Sequence, residues 1–573
     1  MTQAPERLRC RRAVMIGMTA GIALAMPLLA ARMFAAGGWT LCEKLILACL
    51  GATGPWVGLA AATAVAGVAV RLLSPDPPGF VLPSLRTARS DAPILARTVI
   101  AVCVRLEDMR AVLPPLGRLL EELRGGAGGD RFALAILSDT PGGQAALHEE
   151  QAVARFARRY PPDCVRYRRR AINAGWKAGN LMEFFDRHAE GFDFALLLDA
   201  DSVMTAAAVR RLIRVMQADD TLAVLQQAVA GRPGHTVFSR AFGFGHRYSV
   251  RIWATGQAWW QGPEGAYWGH NALLRIAPFR AHCRLPLLPG GGPILSHDLV
   301  EAARLHAAGW AVRVLPDETG SEEGHPPDLV AMLERDVRWA AGNLQYRHLL
   351  RRRDLGPVGR LQMLQAIGHY ALTPLWFAPL PLAALNVLTG GGEGTPRGPI
   401  LALLGVGFGL LHVPKLAGYA EALARAAPGP NRVGLRSMLA ETAFSILLDS
   451  IAAFDRTLLV LRLARGRVAV WEPQRREADR LSWSAAVRRF YPHTLAGFLL
   501  MVGFAGGGWF PLLASLPATL GLAAAIPFAV LTARARMEWT RSAGRSAKWS
   551  VTSRPWCRVR RRAAAGSGSS PAP

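Results

Sequence analysis

The chain has 573 residues, of which 51% are hydrophobic. This length exceeds a single ordinary core, so we expect at least two structural units. The formal net charge of +26 would suit a nucleic-acid-binding protein. However, much of the basic charge flanks apolar stretches, which is the positive-inside pattern of an inner-membrane protein. We therefore exclude nucleic acid as a partner.

The seven cysteines form no C-x-x-C pair, and several lie in apolar runs. The sequence therefore predicts neither a disulfide framework nor a structural zinc site. The spacing of the histidines also matches no compact zinc signature, so we assign them structural or hydrogen-bonding roles. These histidines are His246, His270, His297 and His325.

Residues 13–31 form a nearly unbroken apolar run that follows four arginines, which predicts a cytosolic N-terminus. A cleaved signal peptide has similar basic and small-residue flanks, so this alternative stays open. Residues 45–70 form a second run. The two runs predict a transmembrane hairpin over residues 1–73, after which the chain lies in the cytosol.

Four later apolar runs are each close to the ~20 residues that a membrane-spanning helix needs. They are residues 368–388, 399–420, 494–514 and 516–533. They predict hairpins within units 366–436 and 494–533. With the N-terminal pair, the chain would have six spans, with eight as the alternative.

The segment between these hairpins, residues 437–493, is predicted to lie at the membrane surface. Residues 437–463 are apolar but carry charged residues, among them Glu441, Asp449, Asp455 and Arg456, which are costly at the bilayer centre. Basic residues flank both ends, so we interpret this stretch as helices in the interface plane. An Arg-rich cytosolic loop, residues 465–489, follows. Residues 534–573 form a basic tail that we predict to be disordered and cytosolic.

Residues 74–365 mix polar and apolar positions and predict a cytosolic domain. Apolar strand candidates are residues 98–104, 132–137 and 194–198, with helical stretches between them. The helix after the first strand is predicted to begin at the pair Pro114-Pro115. Alternating strands and helices indicate an α/β domain with a mostly parallel, Rossmann-like sheet. Ligands bind such sheets beyond the carboxyl ends of the strands.

Two carboxylates, Asp199 and Asp201, follow the third strand as a D-x-D turn. With diphosphate oxygens they would form the hard oxygen shell that suits Mg²⁺ or Mn²⁺. The ion would neutralise a departing nucleoside diphosphate. The alternative is a solvated surface turn, but the position after an apolar strand favours metal binding.

Two further acids follow apolar runs. Asp139 ends the second strand and would contact a nucleotide, or would serve as a helix N-cap or turn residue. Asp298 would be a general base that takes the proton of an attacking hydroxyl. Its alternative is the N-cap of a helix over residues 299–308, and spacing alone does not decide between them.

Aromatic side chains suggest a sugar-binding surface. Trp339 would stack on a sugar, and Arg338 beside it would hold diphosphate. The alternative is an amphipathic helix that leads to the membrane. A second aromatic group suits either a sugar groove or ordinary packing: Trp253, Trp259, Trp260, Tyr267 and Trp268.

Taken together, these motifs resemble processive family-2 glycosyltransferases of GT-A fold, and most closely the glucans biosynthesis glucosyltransferase H family. The matching strings are Leu137-Ser138-Asp139, Tyr167-Arg168-Arg169-Arg170, Lys177-Ala178-Gly179-Asn180, Asp199-Ala200-Asp201-Ser202, Tyr267-Trp268-Gly269-His270-Asn271-Ala272, Ile294-Leu295-Ser296-His297-Asp298 and Arg335-Asp336-x-Arg338-Trp339, followed by Gly342-Asn343. The likeness runs in one register over about residues 99–350.

The resemblance implies a role for each residue. Asp139 would contact uridine diphosphate, and Lys177 and Asn180 would line the nucleotide pocket. Asp199 and Asp201 would hold nucleotide and metal. Asp298 would be the base of a single inverting displacement on UDP-glucose. Arg338 and Trp339 would grip the diphosphate and the acceptor glucan.

The sequence departs from the family at several positions. The first strand usually ends in P-x-x-N-E-D, and here Cys103 and Leu106 occupy the Pro and Asn positions. The family's G-S-Y-E-E string appears as Gly320-Ser321-Glu322-Glu323-Gly324. Arg335 replaces the Gln of the cellulose-synthase Q-x-x-R-W motif. None of these changes affects the acids expected to do the chemistry.

The resemblance implies an inner-membrane enzyme that builds, and exports, the β-1,2-linked backbone of osmoregulated periplasmic glucans. Its partners would be UDP-glucose, a glucan acceptor, the lipid bilayer and a periplasmic glucan-processing protein. Two alternatives stay open at this point. One is a related synthase with another product, and the other is a glucan transporter whose soluble domain senses nucleotide-sugar.

Overall fold

The structure is a computed structural model that describes residues 3–126, 128–232, 234–425, 434–466 and 481–535. It comprises an N-terminal helical hairpin, a central α/β domain and a C-terminal group of helices. The predicted basic tail and most of the predicted Arg-rich loop lie outside these ranges.

The strands of the described ranges form two sheets. They are β1 (Thr98–Val104), β2 (Phe132–Ser138), β3 (Val165–Arg169), β4 (Phe194–Leu198), β5 (Val203–Met204), β6 (Leu222–Gln227), β7 (Ala230–Gly231), β8 (Ala272–Arg275), β9 (Ala311–Leu315) and β10 (Ser321–Glu323). The larger sheet has the order β3-β2-β1-β4-β8-β6-β9, and the smaller one β5-β10-β7.

Helices account for most of the remaining described chain. They are α1 (Gln3–Ala35), α2 (Leu41–Leu73), α3 (Pro77–Val81), α4 (Ser84–Thr87), α5 (Met109–Arg124), α6 (Gln144–Ala157), α7 (Trp176–Arg187), α8 (Ala206–Gln217), α9 (Val237–Gln261), α10 (Ile276–His282), α11 (Asp298–Ala307), α12 (Leu329–Gln345), α13 (Pro357–Ala371), α14 (Thr373–Phe377), α15 (Pro379–Leu388), α16 (Arg397–Arg425), α17 (Leu435–Ala464), α18 (Trp483–Ala505), α19 (Trp509–Ala523) and α20 (Ala525–Thr532). Short 3₁₀ helices span Gly129–Arg131 and Tyr346–His348.

The larger sheet is mostly parallel, as the sequence predicts. β1 pairs in parallel with β2 and with β4, so that Thr98 lies opposite both Phe132 and Phe194. Only β8 runs antiparallel, between β4 and β6. The carboxyl ends of β1, β2 and β4 therefore meet at one edge, where ligands bind in such sheets.

The apolar strands are buried on both faces, as is typical of a parallel sheet. One face packs against α5, α6 and α8. The other face packs against α7, α10 and α11. The three-layer arrangement leaves the carboxyl edge of the sheet open for a site.

The smaller sheet brings two distant segments of the chain together. β10 pairs antiparallel with β5, which places Glu322 opposite Val203, and parallel with β7. Because β5 follows the D-x-D turn directly, the pairing fixes Glu323 beside that turn. Residues more than a hundred positions apart thus share one edge.

The central domain docks tightly on the N-terminal hairpin through α9. A Cβ atom on Gly67 of α2 would lie 2.1 Å from the Ile252 carbonyl oxygen of α9. Arg11 and Arg12 of α1 donate hydrogen bonds of 3.3 Å to the last carbonyls of α9, at Trp259 and Trp260. Small residues allow this close helix approach.

By length and composition, three helices of the described chain are long and apolar enough to cross a membrane: Glu6–Ala35, Leu41–Leu73 and Arg397–Ala424. The count rises to five if each of two bent pairs, α13 with α14–α15 and α19 with α20, is one span. The predicted number of six or eight spans stays a prediction. The predicted span over residues 494–514 is wrong, because α18 ends at Ala505 and Gly508, with φ +91°, starts a new helix.

The segment over residues 437–463 is a single helix, α17, rather than several. Its charged residues are paired: Lys415 donates a 2.7 Å hydrogen bond to Glu441, and Arg456 donates one of the same length to Asp336 on α12. Phe444, nearer its start, packs on Phe238 of α9. The helix therefore lies along two helices of the central domain. These contacts favour the predicted interfacial position, which stays a prediction.

The helix that follows β1, α5, begins earlier than the sequence predicts. Asp108 caps α5 by accepting a hydrogen bond from the Arg110 amide at 2.9 Å. Pro114 and Pro115 thus lie inside the helix rather than at its start. The burial of the apolar face of α5 against the sheet offsets the two backbone hydrogen bonds that the prolines cannot donate.

The turn after β1 contains a strained residue. Leu106 has φ +58°, a left-handed conformation that costs a branched residue about 1–2 kcal/mol. Its amide donates a 2.9 Å hydrogen bond to Thr140 Oγ1, which holds the turn in place. The resembling family has Asn at this position, and Asn adopts this conformation readily.

We therefore predict that Leu106→Asn stabilises the protein by about 1 kcal/mol, because it removes this strain. In a protein of this size that corresponds to a rise of about 1–2 °C in apparent Tm. The measurement is thermal unfolding in detergent at a fixed scan rate. The control is Ile172→Asn, since Ile172 is also exposed but lacks a positive φ. An equal rise in Tm in both variants would show that the gain comes from placing a polar side chain on the surface and not from relief of backbone strain.

Candidate active site

The carboxylate of Asp139, at the end of β2, is held by a buried arginine. Arg170 donates hydrogen bonds of 2.7 and 3.0 Å to its two oxygens. The same guanidinium also donates to the Ala174 and Trp176 carbonyls, at 2.9 and 3.0 Å. Asp139 makes no helix cap, since α6 begins only at Gln144. The pair shapes the loop that leads into α7.

The first acid of the D-x-D turn, Asp199, contacts Lys177. The Lys177 ammonium donates hydrogen bonds to Asp199 Oδ1 and, at 2.7 Å, to the Gly269 carbonyl oxygen. Burial alone would lower the pKa of Lys177, but the charge of Asp199 outweighs burial and raises it. A cation thus stands at the carboxyl edge beside the predicted metal-binding acid. Cys103 lies beneath it, and burial raises the pKa of its thiol to about 12, so the thiol stays neutral.

Two residues beside Asp201 were not assigned to the site from the sequence. His270 Nδ1 lies 3.1 Å from Glu323 Oε2. Burial raises the pKa of Glu323, and the charges of Asp201 and Asp199 raise it further. Burial opposes protonation of His270, but Glu323 and Asp199 outweigh it and raise its pKa. The charges of Asp199, Asp201 and Glu323 thus interact, and Arg335 opposes the rise in the pKa of Glu323.

The available signal for Glu323 was the string Gly320-Ser321-Glu322-Glu323-Gly324. Its place beside the D-x-D turn could not be predicted, because only the pairing of β10 with β5 brings it here. The two acids of the D-x-D turn and Glu323 offer hard oxygen donors, which fits a divalent cation.

Asn180 has a different position from the other predicted nucleotide contacts. Its side chain is fully buried and donates a 3.3 Å hydrogen bond to the Leu137 carbonyl oxygen. It also accepts a hydrogen bond from Arg168. Here Asn180 ties α7 to the ends of β2 and β3, and its predicted nucleotide contact would be indirect.

Asp298 is the first residue of α11, and the N-cap position is occupied by His297, whose side chain makes no capping hydrogen bond. The N-cap alternative is therefore wrong. A Cβ atom on Gly269, which has φ +83°, would lie 2.3 Å from Asp298 Oδ1. Gly269 thus lies between the two halves of the site: its carbonyl binds Lys177, and its missing side chain admits Asp298.

The loop that carries Asp298 is fixed by α12. The Leu295 amide donates a 2.9 Å hydrogen bond to Gln345 Oε1. A Cβ atom on Gly342 would lie only 2.1 Å from Ser296 Oγ. The helix that bears the R-W pair therefore also positions the predicted base.

The predicted acceptor residues lie on α12. Trp339 is 48% exposed, and the Arg335 guanidinium stacks 4.4 Å from its ring centroid. Arg338 precedes it and is half-buried. Asp336 between them is buried and paired with Arg456. An exposed indole backed by a cation is suited to bind a sugar face.

Most of the second aromatic group is explained by packing. Trp260 packs on Met15 and Ala62 of the hairpin, and Trp259 on Val70. Tyr267 is fully buried below the site. Packing therefore accounts for Trp259, Trp260 and Tyr267, and a sugar groove that includes Trp253 and Trp268 stays a prediction.

Comparison with known proteins agrees with this arrangement. The profile described as "Glycosyl transferase family group 2" matches residues 194–411. The chain is 32% identical to the glucans biosynthesis glucosyltransferase H of Xylella fastidiosa (strain 9a5c), over 92% of this chain and 86% of that protein. The chain belongs to the glucans biosynthesis glucosyltransferase H family. It has the GT-A architecture of glycosyltransferases, and its N-terminal apolar helices are suited to span a membrane.

A second family member, from Xanthomonas campestris pv. campestris (strain B100), is 34% identical over 87% of this chain and 81% of its own length. Among solved structures, the mannosyltransferase PcManGT from Pyrobaculum calidifontis in complex with GDP-Man and Mn²⁺ covers 63% of this chain and 98% of its own. The identity is 15% and the TM-score 0.38. That likeness is too low to carry conclusions about the glucosyltransferase H site.

We predict that Gly342→Ala slows glycosyl transfer about tenfold or more, because the added methyl displaces Ser296 and with it Asp298. The affinity for UDP should stay within about twofold, since Lys177 and the D-x-D turn do not contact Gly342. Turnover and UDP binding are measured on the same preparation. Gly405→Ala is the control, since a Cβ there meets no atom within 4 Å. Full activity of Gly342→Ala would show that α12 does not position the base.

Proposed function

We propose that this protein is a membrane-bound glucosyltransferase that uses UDP-glucose to extend the β-1,2-linked backbone of osmoregulated periplasmic glucans. The observation that carries the proposal is the position of Asp298, across Gly269 from the Lys177–Asp199 pair. This arrangement places a carboxylate beside a cationic diphosphate site. Membership of the glucosyltransferase H family supports glucose and glucan as donor sugar and product.

The reaction is a single inverting displacement. Asp298 accepts the proton of the acceptor hydroxyl, whose oxygen bonds to the anomeric carbon of glucose. The bond from that carbon to the diphosphate breaks, and UDP leaves with the electron pair. Lys177 stabilises the charge that develops on the leaving diphosphate, because it is already fixed at the carboxyl edge. Asp139 would contact the uridine part from the end of β2.

Asp199 and Asp201 would hold a divalent cation, Mg²⁺ or Mn²⁺, with Glu323 close enough to add a further oxygen. The closeness of these carboxylates, whose charges act on the pKa of Glu323, supports that assignment. When bound, the ion neutralises charge on the diphosphate. The protein's own contribution is to fix the carboxylates through the pairing of β5 with β10.

Arg338 and Trp339 would bind the diphosphate and the acceptor end of the glucan. The exposed indole supports this role, since sugar rings stack on aromatic faces. Arg335 holds the indole from the opposite side. Because α12 also positions the loop of Asp298, acceptor binding and base placement share one element.

We propose that the enzyme is a multi-pass protein of the bacterial inner membrane, with the catalytic domain and both termini in the cytosol. The arginines before the first span and after Ala533 support this orientation. It would place UDP-glucose binding in the cytosol and the glucan product beside the membrane helices. Export and hand-over to a periplasmic glucan-processing protein complete the proposal.

Purified protein in nanodiscs, given UDP-glucose and Mg²⁺, should release UDP and form a polymer that a β-1,2-specific glucanase digests. Asp298→Asn should lower turnover about 100-fold or more, because general-base catalysis is lost, while UDP binding stays within about twofold. Asp186→Asn is the matched control, an acid of α7 that pairs with exposed Arg284 away from the site. Inverted membrane vesicles should consume added UDP-glucose, and right-side-out vesicles should not.

Each part of the proposal fails on a different result. Turnover only with another nucleotide-sugar would overturn the donor, and a polymer that resists the glucanase would overturn the product. Retained activity in Asp298→Asn would overturn the base. Glucan movement without UDP release would favour a transporter with a nucleotide-sugar-sensing domain.

A further inference from the structure

Asp298 belongs to a buried cluster of three titratable side chains at the start of α11. His297 Nδ1 donates a 2.9 Å hydrogen bond to Glu301 Oε2, one helical turn further along. The same nitrogen lies 3.1 Å from Asp298 Oδ1. The side chains of His297 and Glu301 are 8% and 2% exposed, whereas that of Asp298 is 29% exposed. Only Asp298 therefore reaches the site.

This geometry divides the two carboxylates between two tasks. Glu301 takes the hydrogen bond and fixes the imidazole, since residues four apart lie on one helix face. Asp298 Oδ1 lies next to the same nitrogen without taking that hydrogen bond. The imidazolium is thus a charge partner for Asp298, and Glu301 is a partner for the imidazolium.

We propose that His297 is a positioning residue for the glycosyl-transfer base, a buried cation that orients Asp298, and that Glu301 holds His297 in that state. The inference rests on the proposed role of Asp298. It explains why the carboxylate of Glu301 is buried about one helical turn after Asp298. It also leaves Asp298 Oδ2 as the oxygen for the acceptor proton.

The charges around the cluster agree with this assignment. Burial alone would lower the pKa of His297, but Asp298 and Glu301 outweigh burial and raise it to about 9. Burial raises the pKa of Glu301, and His297 opposes that shift. His297 is therefore protonated at neutral pH and loses its proton only as the pH rises through about 9.

Four groups from other elements face the cluster. Cys283, after α10, lies 3.7 Å from the Glu301 carbonyl oxygen, and burial raises the pKa of its thiol, which is therefore neutral. Lys177 of α7 opposes the protonation of His297. Tyr267, before β8, and Tyr346, after α12, both have a raised pKa because they are buried, so both are neutral hydroxyls. No second anion from these elements competes for the imidazolium within the described surroundings of His297.

Both variants should change the alkaline limb of the pH profile of kcat. His297→Asn removes the group that titrates there, so its kcat should be about tenfold lower near neutral pH and should lack the wild-type fall through about pH 9. Glu301→Gln keeps the shape but removes the charge that retains the proton on His297. Its alkaline limb should therefore move down. A merely structural role would lower kcat by one factor at every pH.

A second readout needs no substrate. Hydrogen–deuterium exchange at the imidazole C2 position, followed by mass spectrometry across a pH series, reports the titration of each histidine in the full-length protein. His297 should titrate near 9 in the wild type and at least about one unit lower in Glu301→Gln. Exposed His148 on α6 serves as the internal reference, and His148→Asn as the matched variant with unchanged kcat.

The outcomes separate this inference from the proposed function. If the protein shows no turnover with UDP-glucose while His297 titrates near 9, the proposed function is overturned and the inference of a buried, protonated His297 is kept. Titration of His297 at or below its ordinary value of 6.5 would overturn the inference whatever the activity. So would variants whose kcat falls equally at every pH.

Discussion

The site depends on the close approach of backbone and side chains at Gly269. Its carbonyl binds the Lys177 ammonium at 2.7 Å, and its lack of a side chain allows the Asp298 carboxylate to come within 2.3 Å of where a Cβ atom would stand. Its φ of +83° is available to glycine at little cost. The diphosphate side and the base side of the site therefore meet at one residue. The pairing of β5 with β10 fixes the D-x-D turn on one side. The contact of Gly342 with Ser296 fixes the loop of Asp298 on the other side.

Much of the fold follows from the sequence, because apolar strands buried on both faces form continuous runs that are readily recognised. β1 and β4 begin and end at the predicted residues, and β2 is longer by only Ser138. The start of α5 was not predicted, because a capping Asp108 and an internal proline pair give opposite signals. The helices near residue 506 were also mispredicted, since hydropathy continues across Gly506–Gly508 although the chain turns there. The position of α17 depends on its contacts with α9, α12 and α16. These contacts join distant parts of the chain, so no local sequence pattern indicates them.

The acids of the candidate site could be predicted because each follows an apolar strand or run at the edge where parallel strands end. Their partners could not. Arg170 binds Asp139 from the next strand, and Glu323 reaches the D-x-D turn through a three-stranded sheet too short to recognise from its sequence. Asn180 belongs to a motif typical of nucleotide contacts, yet its side chain makes its hydrogen bonds inside the domain. Two of the histidines that the sequence assigned to structural or hydrogen-bonding roles, His270 and His297, form ion pairs with carboxylates that no local pattern indicated.

The central claim is that the D-x-D turn and Asp298 act as separate halves, one for metal-bound diphosphate and one for the acceptor proton. The most direct test is titration of Mn²⁺ by electron paramagnetic resonance on the nanodisc-embedded protein, with and without UDP. We expect Mn²⁺ to bind in a UDP-dependent manner, with affinity lowered about tenfold or more in Asp201→Asn and unchanged within about twofold in Asp298→Asn. Equal loss in both variants, or UDP binding that is indifferent to Mn²⁺ and to Asp201, would contradict the account.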